Sequence, residues 1–167
     1  MLHLSPMIIM GIDPGIARAG WSVLETRASV LNPLDFGCIE TDKSIPPEIR
    51  LNTIYTSLIG LIKKYSPDTM AVEDLFFATN AKTAIAVGQS RGVILLTAAR
   101  SGIPVVSYSP LAIKRAITGD GKADKSQVSR MVMMTLKLKD PTLLDDTTDA
   151  LAIAMTHAYS YKIKQLS

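Results

Sequence analysis

The 167-residue chain has one cysteine, Cys38, and two histidines, His3 and His157. No intramolecular disulfide can form, and a reducing compartment, the cytoplasm, is expected. Cys38 lies in an apolar run and reads as a small buried side chain; as a catalytic thiol it would have only those two imidazoles as partners. No apolar run reaches the roughly 20 residues that span a bilayer, so no membrane association is expected. The opening MLHLSP has neither a basic flank nor a long apolar stretch, so a signal peptide is not expected. Met7 is an alternative start, which would make residues 1–6 an N-terminal extension. There is no internal repeat, low-complexity tract or linker. Residues 1–167 therefore read as one domain, long enough for a sizeable core.

What is present is an uneven charge distribution. The net charge is only +3, but residues 82–139 hold ten Lys/Arg against two Asp/Glu, a block of +8 between two acidic segments. A basic face beside acidic clusters suggests a polyanion bound next to a carboxylate site. The plainer reading is scattered, solvated helix charge.

Local pattern predicts ten elements. MIIMGI (7–12), bounded by Pro14-Gly15, reads as a buried strand. AGWSVLET (19–26) and SVLNPLDFGCIE (29–40) follow as second and third strands, with Asn32-Pro33 an edge irregularity. Short connections make the three an antiparallel meander. Residues 46–65 are helical, with a Pro start, a Lys-rich finish and Ile49, Ile54, Leu58, Leu61 and Ile62 on one face. DTMAVED (68–74) is a strand. Residues 80–102 form a long helix with Asn80 as N-cap and Gly102 as stop. PVVSYS (104–109) is a fifth strand, and helices follow at 110–117, 124–137 and 144–160. The order predicts an α/β fold: a mixed five-stranded sheet, antiparallel across strands one to three and otherwise parallel, with helices on both faces.

Acidic residues fall at informative places. Asp13 ends the first strand and Glu73 the fourth; if those strands are parallel neighbours, both emerge at the edge where such sheets place their sites. In DDTTDALAIAMTH (145–157), Asp146 and Asp149 share a helical face, while Asp145 is rotated away. Acids in a first turn also suit the helix dipole, but Asp149 lies past that turn and leads into Ala150, Ile153 and Ala154. If the four converge, each pair about 4 Å apart repels by about 4 kcal/mol at an effective dielectric near 20. Divalent cations would relieve this, and carboxylate-only ligation selects the hard ions Mg²⁺ or Mn²⁺. Two such ions suit phosphoryl transfer.

GIDPG at 11–15, AVEDLFFATN at 71–80, GQSRG at 88–92, KSQV at 125–128 and DDTTDALAIAMTH occur in an order and spacing that resembles the RuvC family of bacterial Holliday-junction resolvases, over essentially the whole chain from Met7. The resemblance implies a ribonuclease H-like fold, a homodimer, and Mg²⁺-dependent, structure-selective cutting of four-way junction DNA in recombination and repair. Two ions per subunit are expected, with Mn²⁺ able to substitute. The family's catalytic, metal-holding acids fall on Asp13, Glu73, Asp146 and Asp149, its junction-centre aromatic on Phe76, and its DNA-contacting lysines on Lys114 and Lys125. The family also works with a branch-migration motor. Two departures stand out: Ile16 and Ala19 replace small hydroxyl residues after GIDPG, and Asp74 replaces a neutral amide.

The junction that the resemblance implies has twofold symmetry, and a twofold dimer would supply two matched sites. The helix at 80–101, with Ala84, Ile85, Val87, Val93, Ile94, Leu95 and Leu96, is apolar enough to pack on the sheet and on a second subunit; plain core burial is the alternative. Phe76-Phe77 follow the fourth strand, where an exposed ring can stack on a base and the other join the core. Lys114, Arg115, Lys122 and Lys125 surround the loop 118–124, whose Gly119 and Gly121 allow close approach to phosphate. Lys125 is either a DNA contact or a stabiliser of charge on the scissile phosphate. His157 reads as a packed helix residue, and Trp21, Met131, Met133 and Met134 as core or lining. Arg91 and Arg100 stay open between dimer, core-edge and DNA roles. Two competing classes are an actin-like ATPase or sugar kinase, which shares the Asp-x-Gly loop but needs two lobes and a Thr or Ser, and a non-cutting junction binder, for which four acids facing phosphate bring no gain.

Overall fold

The computed structural model describes residues 6–27, 30–74, 81–140, 143 and 145–166, with side chains to Tyr161. Strands β1 (Met7–Asp13), β2 (Arg18–Arg27) and β3 (Val30–Glu40) form an antiparallel meander. Helix α1 (Pro47–Tyr65) leads to β4 (Thr69–Glu73), α2 (Ala81–Arg100) to β5 (Val105–Tyr108), and α3 (Pro110–Thr118), α4 (Lys125–Thr135) and α5 (Asp145–Leu166) complete the order. The sheet order is β3-β2-β1-β4-β5, with β4 parallel to β1 and β5 parallel to β4. The carboxyl ends of β1, β4 and β5 therefore share one edge of the sheet.

Strand period divides the chain between two cores. In β1, Ile9 joins Leu24, Ala71, Leu151 and Ile153 beneath α5, while Met10 and Ile12 join Ile54, Leu58, Met70 and Ile94 beneath α1 and α2. Alternate residues of a buried strand face opposite layers, so Asp13 follows Ile9 onto the α5 side. Two glycines let α5 lie directly on the sheet. A Cβ at Gly11 would meet the Ala150 carbonyl oxygen at 2.3 Å, and one at Gly20 would meet that of Asp146 at 1.9 Å. Ser22 Oγ, fully buried, donates to the Ala150 carbonyl at 2.8 Å and fastens the same turn.

Several local expectations change on folding. Ile49 is 51% exposed, and Arg50 turns inward instead. The reason is a polar anchor: Arg50 Nε donates to Thr41 Oγ1 at 2.8 Å. Helix α4 starts after Asp124, which caps it reciprocally with Gln127, and ends at Thr135 rather than 137. Met131 and Met134 face outward, at 39% and 67% exposure, because Val128 and Val132 supply that helix's buried stripe. Cys38 is only partly buried, on the edge strand β3. There the ladder slips between Val23 and Leu24, opposite Asp35 and Pro33. Helix α5 runs to Leu166 rather than 160. The predicted cap Asn80 and helix start at 144 lie outside the described residues.

Candidate active site

Asp13 and Glu73 sit side by side because Ile12 and Val72 are register partners in the parallel pair β1–β4. The turn after Asp13 is fastened through its backbone carbonyls. In the turn after Asp13, Ser90 Oγ donates to the Gly15 carbonyl at 3.1 Å, the Thr41 hydroxyl to that of Ile16, and the Thr41 amide to that of Ala17 at 3.0 Å. Asp146 and Asp149 arrive from α5, brought down by Gly20 and Gly11.

The electrostatics tie the acids into one site. Burial first, then repulsion from Glu73, Asp149 and Asp146, pushes the Asp13 carboxyl up to about 8. Burial, then Asp149, pushes Glu73 up to about 7. Asp149 is also raised by burial, which outweighs the ammonium of Lys125 at 2.9 Å. Lys125 also approaches Asp145 at 3.7 Å, and Arg18 Nη1 approaches Asp146 at 3.8 Å. Among the described residues, no three His, Cys, Asp or Glu side chains are drawn together as a ready coordination sphere. Three cations, Arg18, Lys114 and Lys125, border the acids instead. An all-oxygen donor set, in which burial and then mutual repulsion favour the protonated forms of Asp13 and Glu73, fits a hard divalent cation.

Beside Glu73 and Asp149 opens a cleft of about 240 Å³, rimmed by Lys114 and Lys125 and lined by Ile113, Val128 and Ile153. Lys114 and Lys125 are therefore at the carboxylates. Arg115 reaches the loop 118–124, near Gly121, and Lys122 is exposed on that loop. Phe76 and Phe77 lie outside the described residues. His157 is buried and pairs through Nδ1 with Tyr108 Oη at 2.8 Å, as a packed helix residue would.

The family model for crossover junction endodeoxyribonuclease RuvC matches residues 9–157. The chain belongs to the RuvC family. A RuvC from Moorella thermoacetica is 51% identical over 152 residues, covering 91% of each protein. One from Desulforamulus reducens is 48% identical, covering 91% of this chain and 93% of the relative. The solved structure of T. thermophilus RuvC in complex with a Holliday junction substrate superposes with TM-score 0.89 at 33% identity, covering 95% of this chain and 96% of that one. A yeast mitochondrial Holliday junction resolvase, at 15% identity and TM-score 0.60, shares the fold. Membership of the RuvC family sets aside the ATPase reading.

In this RuvC-family chain the structure adds Arg18 and Ser90, which pattern alone did not single out, and gives Arg91 a place. Arg18 borders the site from the start of β2. Arg91, open on sequence grounds, turns inward. Its Nε donates to the Glu73 carbonyl at 3.2 Å, and its Nη2 to Asp74 Oδ1 at 2.9 Å and Ser107 Oγ at 2.7 Å. Asp74 is thus paired behind the sheet rather than added to the acids in front. The only available signal for Ser90 and Arg91 was the motif GQSRG itself.

Proposed function

We propose that the protein is a structure-selective endodeoxyribonuclease that resolves four-way junctions by paired symmetric nicks in recombination and repair. The observation that supports this reading is that Glu73, Asp149 and Asp146, from two other chain segments, all repel the Asp13 carboxyl beside a lysine-rimmed cleft. These four would hold Mg²⁺, two ions per subunit, with Mn²⁺ as substitute. When bound, such ions neutralise phosphate charge and lower the pKa of water. Asp13 and Asp149 are the central ligands, Glu73 also orients the attacking water, and Asp146 completes the set. Lys125 and Lys114 meet the phosphate oxygens, and Lys125 leaves Asp149 to do so. Arg115 and Lys122 follow the backbone further along the loop, and Phe76 stacks at the junction centre. In-line attack leaves a 3′-hydroxyl and a 5′-phosphate.

The unit is a single domain, residues 1–167, working in the cytoplasm as a twofold dimer. Exposed Ile85 and Leu96 on α2 support that helix as the dimer face. A branch-migration motor is the further partner. Among the described residues no helix is long and apolar enough to cross a membrane. The test is incubation of a synthetic immobile four-way junction and a linear duplex, with and without Mg²⁺, followed by nick mapping. Symmetric nicks in the junction alone, only with Mg²⁺, are expected. Equal cutting of the duplex, or no Mg²⁺ dependence, overturns the reading.

A further inference from the structure

Two adjacent residues of α2 each grip the backbone of a different acidic strand end. Ser90 is fully buried and takes the Gly15 carbonyl, two residues beyond Asp13. Arg91 takes the carbonyl of Glu73 itself. Both approach from the α1–α2 side, opposite the face on which the carboxylates lie. Strand ends lose ladder partners, so the last carbonyls are the least constrained groups of β1 and β4. A guanidinium is a planar fork that can satisfy several acceptors at once. Here it joins three points in two neighbouring strands: the Glu73 carbonyl, Asp74 and Ser107.

We infer that Ser90 and Arg91 are positioning residues that set the separation of Asp13 and Glu73. The inference rests on the assignment of those two acids as metal holders. Asp13 and Glu73 repel each other when ionised, and among the described residues the cations that offset this are Lys125, which acts on both, and Lys114, which acts on Glu73. A rigid connection behind the sheet supplies the restraint. One helix holds both strand ends, so a change at Arg91 alters the spacing of the pair and not only the placement of Glu73. Asp74 then has a role without touching the reaction: its carboxylate keeps the guanidinium turned toward the Glu73 carbonyl. A neutral amide would keep the oxygen acceptor, so Asp74→Asn preserves the grip.

The experiment compares wild type with Arg91→Met, Asp74→Ala and Asp74→Asn, each checked for folding by circular dichroism. Direct Mn²⁺ binding, followed by electron paramagnetic resonance without DNA, reads acid spacing independently of turnover. Single-turnover cutting and junction binding in Ca²⁺ are measured beside it. Arg91→Met is expected to raise the half-saturating Mn²⁺ concentration about tenfold and slow cutting by about tenfold or more, with junction affinity within about twofold. Asp74→Ala, at a half-exposed residue, should shift Mn²⁺ binding about threefold, and Asp74→Asn should behave as wild type. A purely structural role would lower thermal stability in Arg91→Met and leave the Mn²⁺ midpoint unmoved. That result, or an unmoved midpoint in Asp74→Ala if Arg91→Met does not fold, overturns the inference. If wild type binds Mn²⁺ and the variants shift it while no junction is cut, the nuclease reading fails and the positioning role stands.

Discussion

If Asp13 and Glu73 hold the metal, their raised carboxyls should make its uptake steeply dependent on pH. A carboxylate must shed its proton before it binds a cation. With Asp13 near 8 and Glu73 near 7, both are largely protonated at about pH 6. Freeing them there costs about two log units for Asp13 and about one for Glu73, against about 0.3 in total at about pH 8. Apparent affinity for Mn²⁺ in the absence of DNA should therefore rise several hundredfold between about pH 6 and about pH 8. The slope should approach two log units per pH unit at the acid end and flatten above about pH 8. Acids with ordinary values near 4 would give an almost flat profile over that range. Stability carries the opposite sign. The folded state holds more protons than the unfolded chain between the ordinary carboxylate range and the raised values. The metal-free protein should therefore lose stability as pH climbs from about 4 to about 8, and the gain in Tm on adding Mg²⁺ should grow over the same range. Calorimetric titration with Mn²⁺ at four pH values decides the matter. A midpoint that moves less than about threefold from pH 6 to 8 would falsify the burial-and-repulsion account of Asp13 and Glu73.

Other perturbations probe other parts of the site. Asp13→Asn should abolish cutting while leaving junction affinity nearly intact by gel shift; full activity would remove Asp13 from the metal set. Replacing Lys114, Lys122 and Lys125 together should flatten the salt dependence of junction binding by about 0.9 per lost phosphate contact, and an unchanged slope would take them out of the interface. Gly20→Ala would place a methyl 1.9 Å from the Asp146 carbonyl oxygen, so it should cost about 3 kcal/mol in urea unfolding and eliminate cutting. Native-like activity would mean that α5 does not depend on that close approach. Leu96→Asp, at an exposed apolar position on α2, should give a monomer by light scattering; a dimer that persists would place the interface elsewhere.

Much of this architecture was legible in sequence because it is local. The alternation of β2, the helical spacing of α1 and the breakers after Asp13 follow from backbone geometry over a few residues. The acids were legible for a related reason. A carboxylate that closes a buried strand, or follows a first helical turn, has no ordinary use there. What pattern could not reveal depends on partners far along the chain. Ile49 was placed on the apolar face of the first helix, yet Thr41 draws the Arg50 guanidinium inward and leaves Ile49 in water. Met131 and Met134 had the composition of a core and stand outside, since only the packing of α4 on its neighbours chooses which face is covered. Asp74 stood out only as a departure from a neutral amide, and its pairing with Arg91 behind the sheet needed the fold to bring α2 across the end of β4.

By itself the sequence determined which acids could matter, which elements carry them, and that any metal they hold would have oxygen ligands. The tertiary structure alone decided that Gly11 and Gly20 admit α5 close enough to bring Asp146 and Asp149 over Asp13, and that Ser90 and Arg91 hold the strand ends from behind. Residue type and period are properties of a short segment. The distance between two charges on different segments is a property of everything packed between them.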